Sequence, residues 1–205
     1  MINLKDSSLV VVDVETSGIN PFLNDVLAVG IAPLFANAQS LELYIRPNTI
    51  EWSPYAKDNF RKFRSEWELR AVAPSAACEI IEKYLLDNFS GNKVTPIGHN
   101  VGFDISFLKR LAFLGGRDEL AGLSHRAIDT HTILYLLYLQ DKLPITALNS
   151  DGAFQYFKIR VPDASRHTAL GDALATRELI LKLFDLLDTG VIPGLEGNRA
   201  ATLST

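Results

Sequence analysis

The chain has 205 residues, of which 47% are hydrophobic and 21% are charged, with a net charge of −4. This length and composition suit one globular domain with a sizeable core and leave little room for a second full domain. The single cysteine, Cys78, excludes an internal disulfide and a CxxC motif, so we expect a buried structural thiol.

The sequence of the first half of the chain predicts a three-stranded meander. Residues 9–14 form a β-branched, almost wholly apolar run, which predicts a central strand. A turn rich in Ser, Gly, Asn and Pro follows it, and further strands are predicted over 26–35 and 41–46. Residues 47–74 show no clear period.

The second half predicts helices alternating with short strands. The apolar spacing favours helices over 75–88, 102–114, 130–139 and 168–187, with strands over 94–98 and 127–129. The order predicts an α/β fold in which helices flank a mixed five-stranded sheet. Glycines and a proline after residue 189 predict a flexible tail over 190–205.

Targeting and membrane signals are missing from the sequence. Residues 1–8 lack the apolar core of a signal peptide, and the longest apolar run, 133–139, is far shorter than a membrane span of roughly 20 residues. We therefore expect a cytoplasmic protein with no membrane partner. Nucleic-acid binders are usually basic. Acids that hold divalent cations reverse the local charge, so the net charge of −4 neither supports nor excludes nucleic acid.

Two carboxylates end the first predicted strand. Asp13 and Glu15 are two residues apart, so they project from the same face of an otherwise apolar strand. Paired charges in apolar surroundings need a cation, and two oxygen ligands suit Mg²⁺ or Mn²⁺. The alternative is a pair of solvated acids at a strand end, and the residues alone leave both interpretations open.

Further candidate groups lie at the starts of two helices. Asp104 shares a helix face with Phe107, Leu108 and Leu111, which predicts that it points toward the core. The alternative is an acid that complements the helix dipole. His167 and Asp172 would diverge by about 140° inside one helix. Both reach one site only if His167 precedes the helix, with Thr168 as its N-cap.

Three segments together resemble a known family. Residues 12–18, 98–104 and 167–172 carry D-x-E-T, H-N-x-x-F-D and H-x-x-x-x-D in that order. These patterns resemble the exonuclease motifs of the DEDDh (DnaQ-like) superfamily, which includes proofreading epsilon subunits, RNase T and oligoribonuclease. The resemblance spans about residues 8–187. It implies an RNase H-like fold, with the exonuclease domain over 1–189.

The resemblance also implies a chemistry. It assigns two divalent cations, Mg²⁺ or Mn²⁺, to the carboxylates of Asp13, Glu15, Asp104 and Asp172, and it makes His167 the general base. The implied reaction is 3′→5′ hydrolysis of DNA or RNA with release of nucleoside 5′-monophosphates. The implied partner is a single-stranded nucleic acid with a free 3′ end. Proofreading would require a polymerase or other protein partner, because the chain carries no polymerase domain.

Other polar residues receive secondary roles. Thr16, His99, Asn100 and Phe103 are candidates for substrate binding, although His99 and Asn100 also suit support of the loop before Asp104. Thr16 could equally be a turn residue, and Phe103 could simply pack. Asp129 is expected to cap the helix that starts at residue 130 rather than bind metal. We expect structural roles for His125 and His131.

One segment departs from the family pattern. Residues 52–70 mix five aromatic residues with five basic ones. Such a mixture can grip single strands by stacking and phosphate contact. The favoured alternative is an amphipathic helix with its aromatic residues packed inward.

Two rival functions remain. A haloacid-dehalogenase-like phosphatase also starts with an acid pair, but it needs an aspartate where this chain has Glu15, and a later Gly-Asp-x-x-x-Asp in which Thr176 replaces the last acid. A catalytically retired exonuclease domain could act as a binding module, but retirement should remove at least one metal ligand and all four acids are present.

Overall fold

A five-stranded mixed sheet organises the protein, as the sequence predicts. A computed structural model describes residues 8–35 and 38–189. The strands are β1 (Leu9–Thr16), β2 (Val26–Pro33), β3 (Leu41–Tyr44), β4 (Thr95–Gly98) and β5 (Ile128–Asp129). Their order is β3-β2-β1-β4-β5. The meander β1–β2–β3 is antiparallel, whereas β4 and β5 extend the sheet in parallel from β1.

Seven α-helices surround this sheet within the described residues. They are α1 (Pro54–Phe60), α2 (Arg64–Arg70), α3 (Pro74–Phe89), α4 (Val101–Leu114), α5 (Thr130–Leu139), α6 (Ser150–Tyr156) and α7 (Ala169–Thr189), with a 3-10 helix at Ile145–Leu148. The predicted helices correspond to α3, α4, α5 and α7, with ends within two residues. Two seven-residue helices, α1 and α2, fill the segment without a clear period, and α6 was not predicted. The predicted tail over 190–205 lies outside the described residues.

Alternation along β1 divides the core into two layers. Val10, Val12 and Val14 pack with residues of α3 and α4 on one face of the sheet. Val11 packs on the other face with residues of α5, α6 and α7. Because successive strand residues face opposite sides, Asp13 belongs to the layer of Val11 and faces α7.

The short β4 leaves one edge of β1 open. Their parallel pairing stops at Val11 and Ile97, so the backbone of β1 beyond Val11 has no strand beside it on that side. The N–H of Val14 instead donates to a carboxylate oxygen of Asp104, at 3.0 Å. The end of β1 is therefore where α4 can place a polar side chain against the sheet.

Gly30 allows α7 to approach the sheet closely. It pairs with Asp13 across β1 and β2, and a Cβ built on it would lie 2.3 Å from the carbonyl oxygen of Ala169. Only a residue without a side chain fits beneath the first turn of α7. This contact sets the distance between β1 and Asp172, which lies in the first turn of α7.

Cys78 is buried between α3 and α4, as the sequence predicts. Its Sγ lies 3.6 Å from the carbonyl oxygen of Leu111. Burial raises the pKa of the thiol.

Among the described helices, none combines the length and apolar character that a membrane span requires.

Candidate active site

A pocket of about 370 Å³ opens at the carboxyl end of β1. All nine residues predicted as site residues line it. They are Asp13, Glu15, Asp104, His167 and Asp172, predicted to be catalytic, and Thr16, His99, Asn100 and Phe103, predicted to bind substrate. The structure therefore brings together three segments that are far apart in the sequence, and the individual roles stay predictions.

Three carboxylates converge on one point of the pocket. Asp13, Glu15 and Asp172 each offer an oxygen, and these oxygens all lie within 4.8 Å of one another. The alternation of β1 supplies the first two, and the first turn of α7 supplies Asp172. An all-oxygen group of this kind suits a hard divalent cation such as Mg²⁺ or Mn²⁺.

The crowding of these acids makes their ionisation unfavourable. Burial raises the pKa of Asp13 well above its usual value, and the neighbouring carboxylates of Asp104, Glu15 and Asp172 raise it further. Burial, followed by the charge of Asp172, raises the pKa of Glu15 to about 7. Bound cations would reverse this balance by favouring the charged carboxylates.

Asp104 lies beside this group and is also held by the backbone. Its side chain is buried, and one oxygen accepts the N–H of Val14. Burial raises its pKa to about 8, against the lowering effect of that hydrogen bond. The predicted inward direction of Asp104 is confirmed, because Phe107, Leu108 and Leu111 of the same face are core residues.

His167 stands just outside α7, as its spacing from Asp172 requires. Its backbone is left-handed, with φ of 59°, and its N–H donates to a carboxylate oxygen of Asp172 at 3.4 Å. The hydroxyl of Thr168 accepts the N–H of Gly171 at 3.2 Å, as an N-cap does. Burial, and then the charges of Arg166 and Lys62, lowers the pKa of His167. The imidazole is therefore neutral at neutral pH.

Arg166 is the main site residue that the sequence analysis missed. It lines the pocket, and its guanidinium pairs closely with the Asp172 carboxylate. It also lies 2.7 Å from a carboxylate oxygen of Asp151 and donates to the Ser150 hydroxyl at 3.0 Å. Arg166 thus links α6 to the first turn of α7. Its position directly before His167 was the available signal.

The predicted substrate-binding residues also have structural partners. The Thr16 hydroxyl donates to the carbonyl oxygen of Gly18 at 2.6 Å, as a turn residue would. His99 Nδ1 lies 3.1 Å from the Thr130 hydroxyl, and burial lowers the pKa of His99. Asn100 is left-handed, with φ of 63°. These contacts agree with support of the loop before α4, while leaving each residue on the pocket wall.

Asp129 caps two helices rather than joining the carboxylate group. It accepts the N–H of His131 at the start of α5, at 3.2 Å, and the N–H of Asn100 before α4, at 2.7 Å. The Thr132 hydroxyl also donates to Asp129, at 2.7 Å, and together these hydrogen bonds outweigh burial and lower the pKa of Asp129. The predicted capping role is confirmed.

The aromatic residues of 52–70 divide into two groups. Trp52, Phe60, Phe63 and Trp67 pack together against β2 and β3, which confirms the packing interpretation for these four. Tyr55 differs, because it is 69% exposed and lines the pocket. Lys62 donates to the carbonyl oxygen of Arg166 at 3.1 Å, so this segment also touches the loop that carries His167.

Comparison with known proteins gives a likeness in structure but none in sequence. No family model and no curated protein sequence matches the chain. The product-bound structure of exonuclease I matches with a TM-score of 0.67 and 18% identity, over 88% of this chain and 46% of that chain. E. coli exonuclease I in complex with a dT13 oligonucleotide gives 0.67 and 18%, over 88% and 43%.

A further exonuclease I structure, described as suggesting how processivity is achieved, has a TM-score of 0.69 at 18% identity. At this identity the likeness concerns the fold alone, and it confirms the RNase H-like fold, a mixed five-stranded sheet flanked by helices, that the sequence predicts. The chain spans less than half the length of the exonuclease I chains that it matches.

Proposed function

We propose that this protein is a metal-dependent 3′→5′ exonuclease. It hydrolyses the terminal phosphodiester of a single-stranded nucleic acid and releases nucleoside 5′-monophosphates. The observation that carries the proposal is the convergence of Asp13, Glu15 and Asp172 within 4.8 Å, beside Asp104 and His167, on the fold of exonuclease I. We assign this activity to residues 1–189.

The donor set supports divalent cations as cofactors. Asp13, Glu15, Asp104 and Asp172 supply only carboxylate oxygens, and the raised pKa values of the first three show how poorly the bare site tolerates negative charge. Two ions of Mg²⁺ or Mn²⁺, when bound, would activate the attacking water and stabilise the charge on the attacking and leaving oxygens. A zinc-bound form of the E. coli exonuclease I–ssDNA complex is known, which also supports divalent metal use at this fold.

His167 would act as the general base. Its lowered pKa keeps a neutral imidazole available at neutral pH, so a ring nitrogen can accept the proton of the attacking water. The left-handed backbone before α7 turns His167 toward the same pocket as Asp172. The 3′-oxygen of the preceding nucleotide then leaves.

Exposed apolar groups beside the carboxylates suit a nucleotide base. Ile19 and Tyr55 line the pocket and are 81% and 69% exposed. Side chains of this kind can contact the faces of an unpaired base, whereas a duplex end would keep its bases stacked. Exonuclease I structures contain dT13 and dA16 oligonucleotides, which supports a single strand as substrate. A protein partner, such as a polymerase, stays a prediction.

The two rival functions are less well supported. In the haloacid-dehalogenase-like interpretation, Glu15 and Thr176 stand where aspartates are required, and the antiparallel pairing of β1 with β2 does not suit a doubly wound sheet. In the retired-domain interpretation, a ligand should be missing, yet all four acids and His167 line one pocket.

The decisive experiment supplies the purified protein with end-labelled single- and double-stranded DNA and RNA and resolves the products by length. We expect stepwise shortening from the 3′ end in Mg²⁺ or Mn²⁺, release of 5′-mononucleotides, and no turnover in excess EDTA. The Asp13→Asn variant is the control for a contaminating nuclease. Full activity in EDTA, or rapid cutting of a closed circular strand, would overturn the proposal. Release of inorganic phosphate from monoesters would favour the phosphatase.

A further inference from the structure

A second groove lies beside the candidate active site. It encloses about 520 Å³ between the β1–β2 loop and the outer face of α4. Four helix residues contribute to it, and their spacing of three, four and seven places them on one face. The lining residues are Pro21, Phe22, Ser106, Lys109, Arg110 and Phe113.

Two aromatic side chains that line this groove are largely exposed to solvent. Phe22 is 86% exposed and Phe113 is 70% exposed. Phe22 belongs to a loop with a defined conformation: its N–H donates to the side chain of Asn20 at 3.0 Å, and the Asn24 side chain donates to the carbonyl oxygen of Glu51 at 2.9 Å. Two exposed rings that line one groove form an apolar surface of the kind that marks a recognition site.

The charges around the groove are positive, although the chain is acidic. Its two charged lining residues are Lys109 and Arg110, and no acidic side chain is among the described residues that line it. Arg110 bonds to the buried Asp25 at 3.0 Å, and its guanidinium lies 6.0 Å from the ring centre of Phe113. Lys109 therefore supplies the less compensated charge, beside two rings.

The groove and the candidate active site are built on the same two elements, the β1–β2 loop and α4. Gly18 and Ile19 line the active-site pocket, and Pro21 and Phe22, in the same loop, line the groove. On the other side, Asp104 lies nine residues before Phe113 in α4, which is about 13 Å along the helix axis. A polymer whose end lies in the pocket can therefore reach the groove.

We propose that this groove binds the single-stranded segment that precedes the nucleotide being removed, with bases stacked on Phe22 and Phe113 and a phosphate beside Lys109. Aromatic faces together with basic side chains are the usual means of holding a single strand without sequence preference. This inference rests on the proposed function, because it extends the path of the same substrate. An apolar segment of a protein partner is the competing occupant.

The test compares a short and a long probe. Kinetics are measured with dT3, which occupies the active-site pocket, and with dT12, which also reaches the groove. Fluorescence anisotropy with labelled dT12 in EDTA measures binding without turnover. We expect Phe22→Ala and Phe113→Ala each to weaken dT12 binding and raise its KM by about 5- to 100-fold, as loss of one stacked base predicts, with dT3 turnover unchanged.

Conservative variants separate stacking from apolar contact. Phe22→Trp should keep dT12 affinity, whereas Phe22→Leu should lose it, because leucine has no aromatic face. Lys109→Gln should lower the salt dependence of dT12 binding by about 0.7 in log–log slope, the value for one phosphate contact on a single strand. Tyr135→Ala, on the exposed side of α5, is the matched control and should bind dT12 as the wild type does.

The outcomes also separate this inference from the proposed function. Equal effects on dT3 and dT12, or no effect on either, would overturn the groove assignment while leaving the nuclease intact. Unchanged dT12 binding in all the groove variants would favour an apolar segment of a protein partner as the occupant. If Phe22→Leu keeps the dT12 affinity that Phe22→Ala loses, base stacking on Phe22 is overturned. If the wild type cleaves neither probe, the proposed function fails, and the anisotropy measurement still decides whether the groove binds a strand.

Discussion

The guanidinium of Arg166 is paired with the carboxylate of Asp172 inside the pocket where Asp13 and Glu15 converge. Arg166 is thus a resident cation at a site that we propose for divalent metals. It compensates part of the negative charge in the metal-free protein. Metal binding at Asp172 must then compete with this ion pair.

Arg166→Gln should therefore destabilise the metal-free protein more than the metal-bound protein. Removing one partner of a largely buried ion pair costs about 3 kcal/mol, and bound cations should compensate the carboxylate of Asp172 that is left unpaired. Urea unfolding in EDTA and in saturating Mn²⁺ measures how much free energy of unfolding the variant loses without and with metal. Calorimetric Mn²⁺ titration should show affinity equal to the wild type or higher.

Asp151→Asn is the matched control for this prediction. Asp151 also pairs with Arg166, but its side chain is mostly exposed, so its loss should change stability by less than about 1 kcal/mol. Equal deficits of Arg166→Gln with and without metal would show that Arg166 is only a structural link between α6 and α7.

Asp13→Asn should raise the stability of the metal-free protein at alkaline pH. Asp13, Glu15 and Asp104 all have raised pKa values, so between about pH 4 and pH 8 the folded state binds more protons than the unfolded state. The free energy of unfolding contributed by the site therefore falls as pH rises through this window, and little of the penalty remains below pH 4. Removing one acid removes part of the penalty.

Urea unfolding in EDTA at pH 5 and pH 8 measures this effect. The gain in stability of Asp13→Asn should be larger at pH 8 than at pH 5. Asp172→Asn is the informative comparison, because it leaves Arg166 without its buried partner and should not share the gain. Both variants should lose turnover. A constant offset of Asp13→Asn across pH would contradict the account of crowded acids.

His167→Ala should separate the proton-transfer role from metal binding. The turnover rate should fall by about 10²–10⁴, the usual contribution of a positioned base, while Mn²⁺ affinity stays close to that of the wild type. The pKa of His167 is lowered, so the wild-type rate should rise with pH along a limb below about 6.5, where the imidazole loses its proton. The variant should lack that limb.

Calorimetry and a pH–rate series on both proteins provide the measurements. His125→Ala is the control, since His125 lines a different cavity and should keep the pH profile. If His167→Ala abolishes Mn²⁺ binding, or if it retains the same limb, another group activates the water.

Gly30→Ala should impair the candidate active site by displacing α7 from the sheet. The added methyl group would lie 2.3 Å from the backbone oxygen of Ala169, so α7 must shift away from β2. Overpacking of this kind costs about 1–3 kcal/mol. We expect lower thermal stability and weaker Mn²⁺ binding, because Asp172 moves with the first turn. Unchanged metal affinity, in a folded variant, would show that this turn tolerates displacement.

The parts of the site that the sequence could predict follow from local geometry. Strand alternation places Asp13 and Glu15 together, and the helical face of Phe107 and Leu108 directs Asp104 inward. The requirement that His167 precede α7 follows from the angle between residues on a helix. The five-stranded sheet follows in the same way from the order of apolar runs.

The remainder depends on contacts between distant segments. The pairing of Arg166 with Asp172 and Asp151 requires α6, a seven-residue helix, which is shorter than the window of about 11 residues in which helical periodicity can be recognised. Exposure of Tyr55, beside aromatic neighbours that are packed inward, depends on how α1 meets the sheet. The open edge of β1 depends on the residue at which β4 stops pairing with β1. No residue type in β4 predicts that position.

Chemical labelling of Cys78 can report how often the core of the protein opens. The thiol is fully buried between α3 and α4, and its raised pKa disfavours the reactive thiolate. Modification by a thiol reagent therefore requires the core to separate, and the rate of labelling follows the frequency of that event. With no second cysteine in the chain, one mass shift reports on one location, and any ligand that slows the labelling has bound the native state.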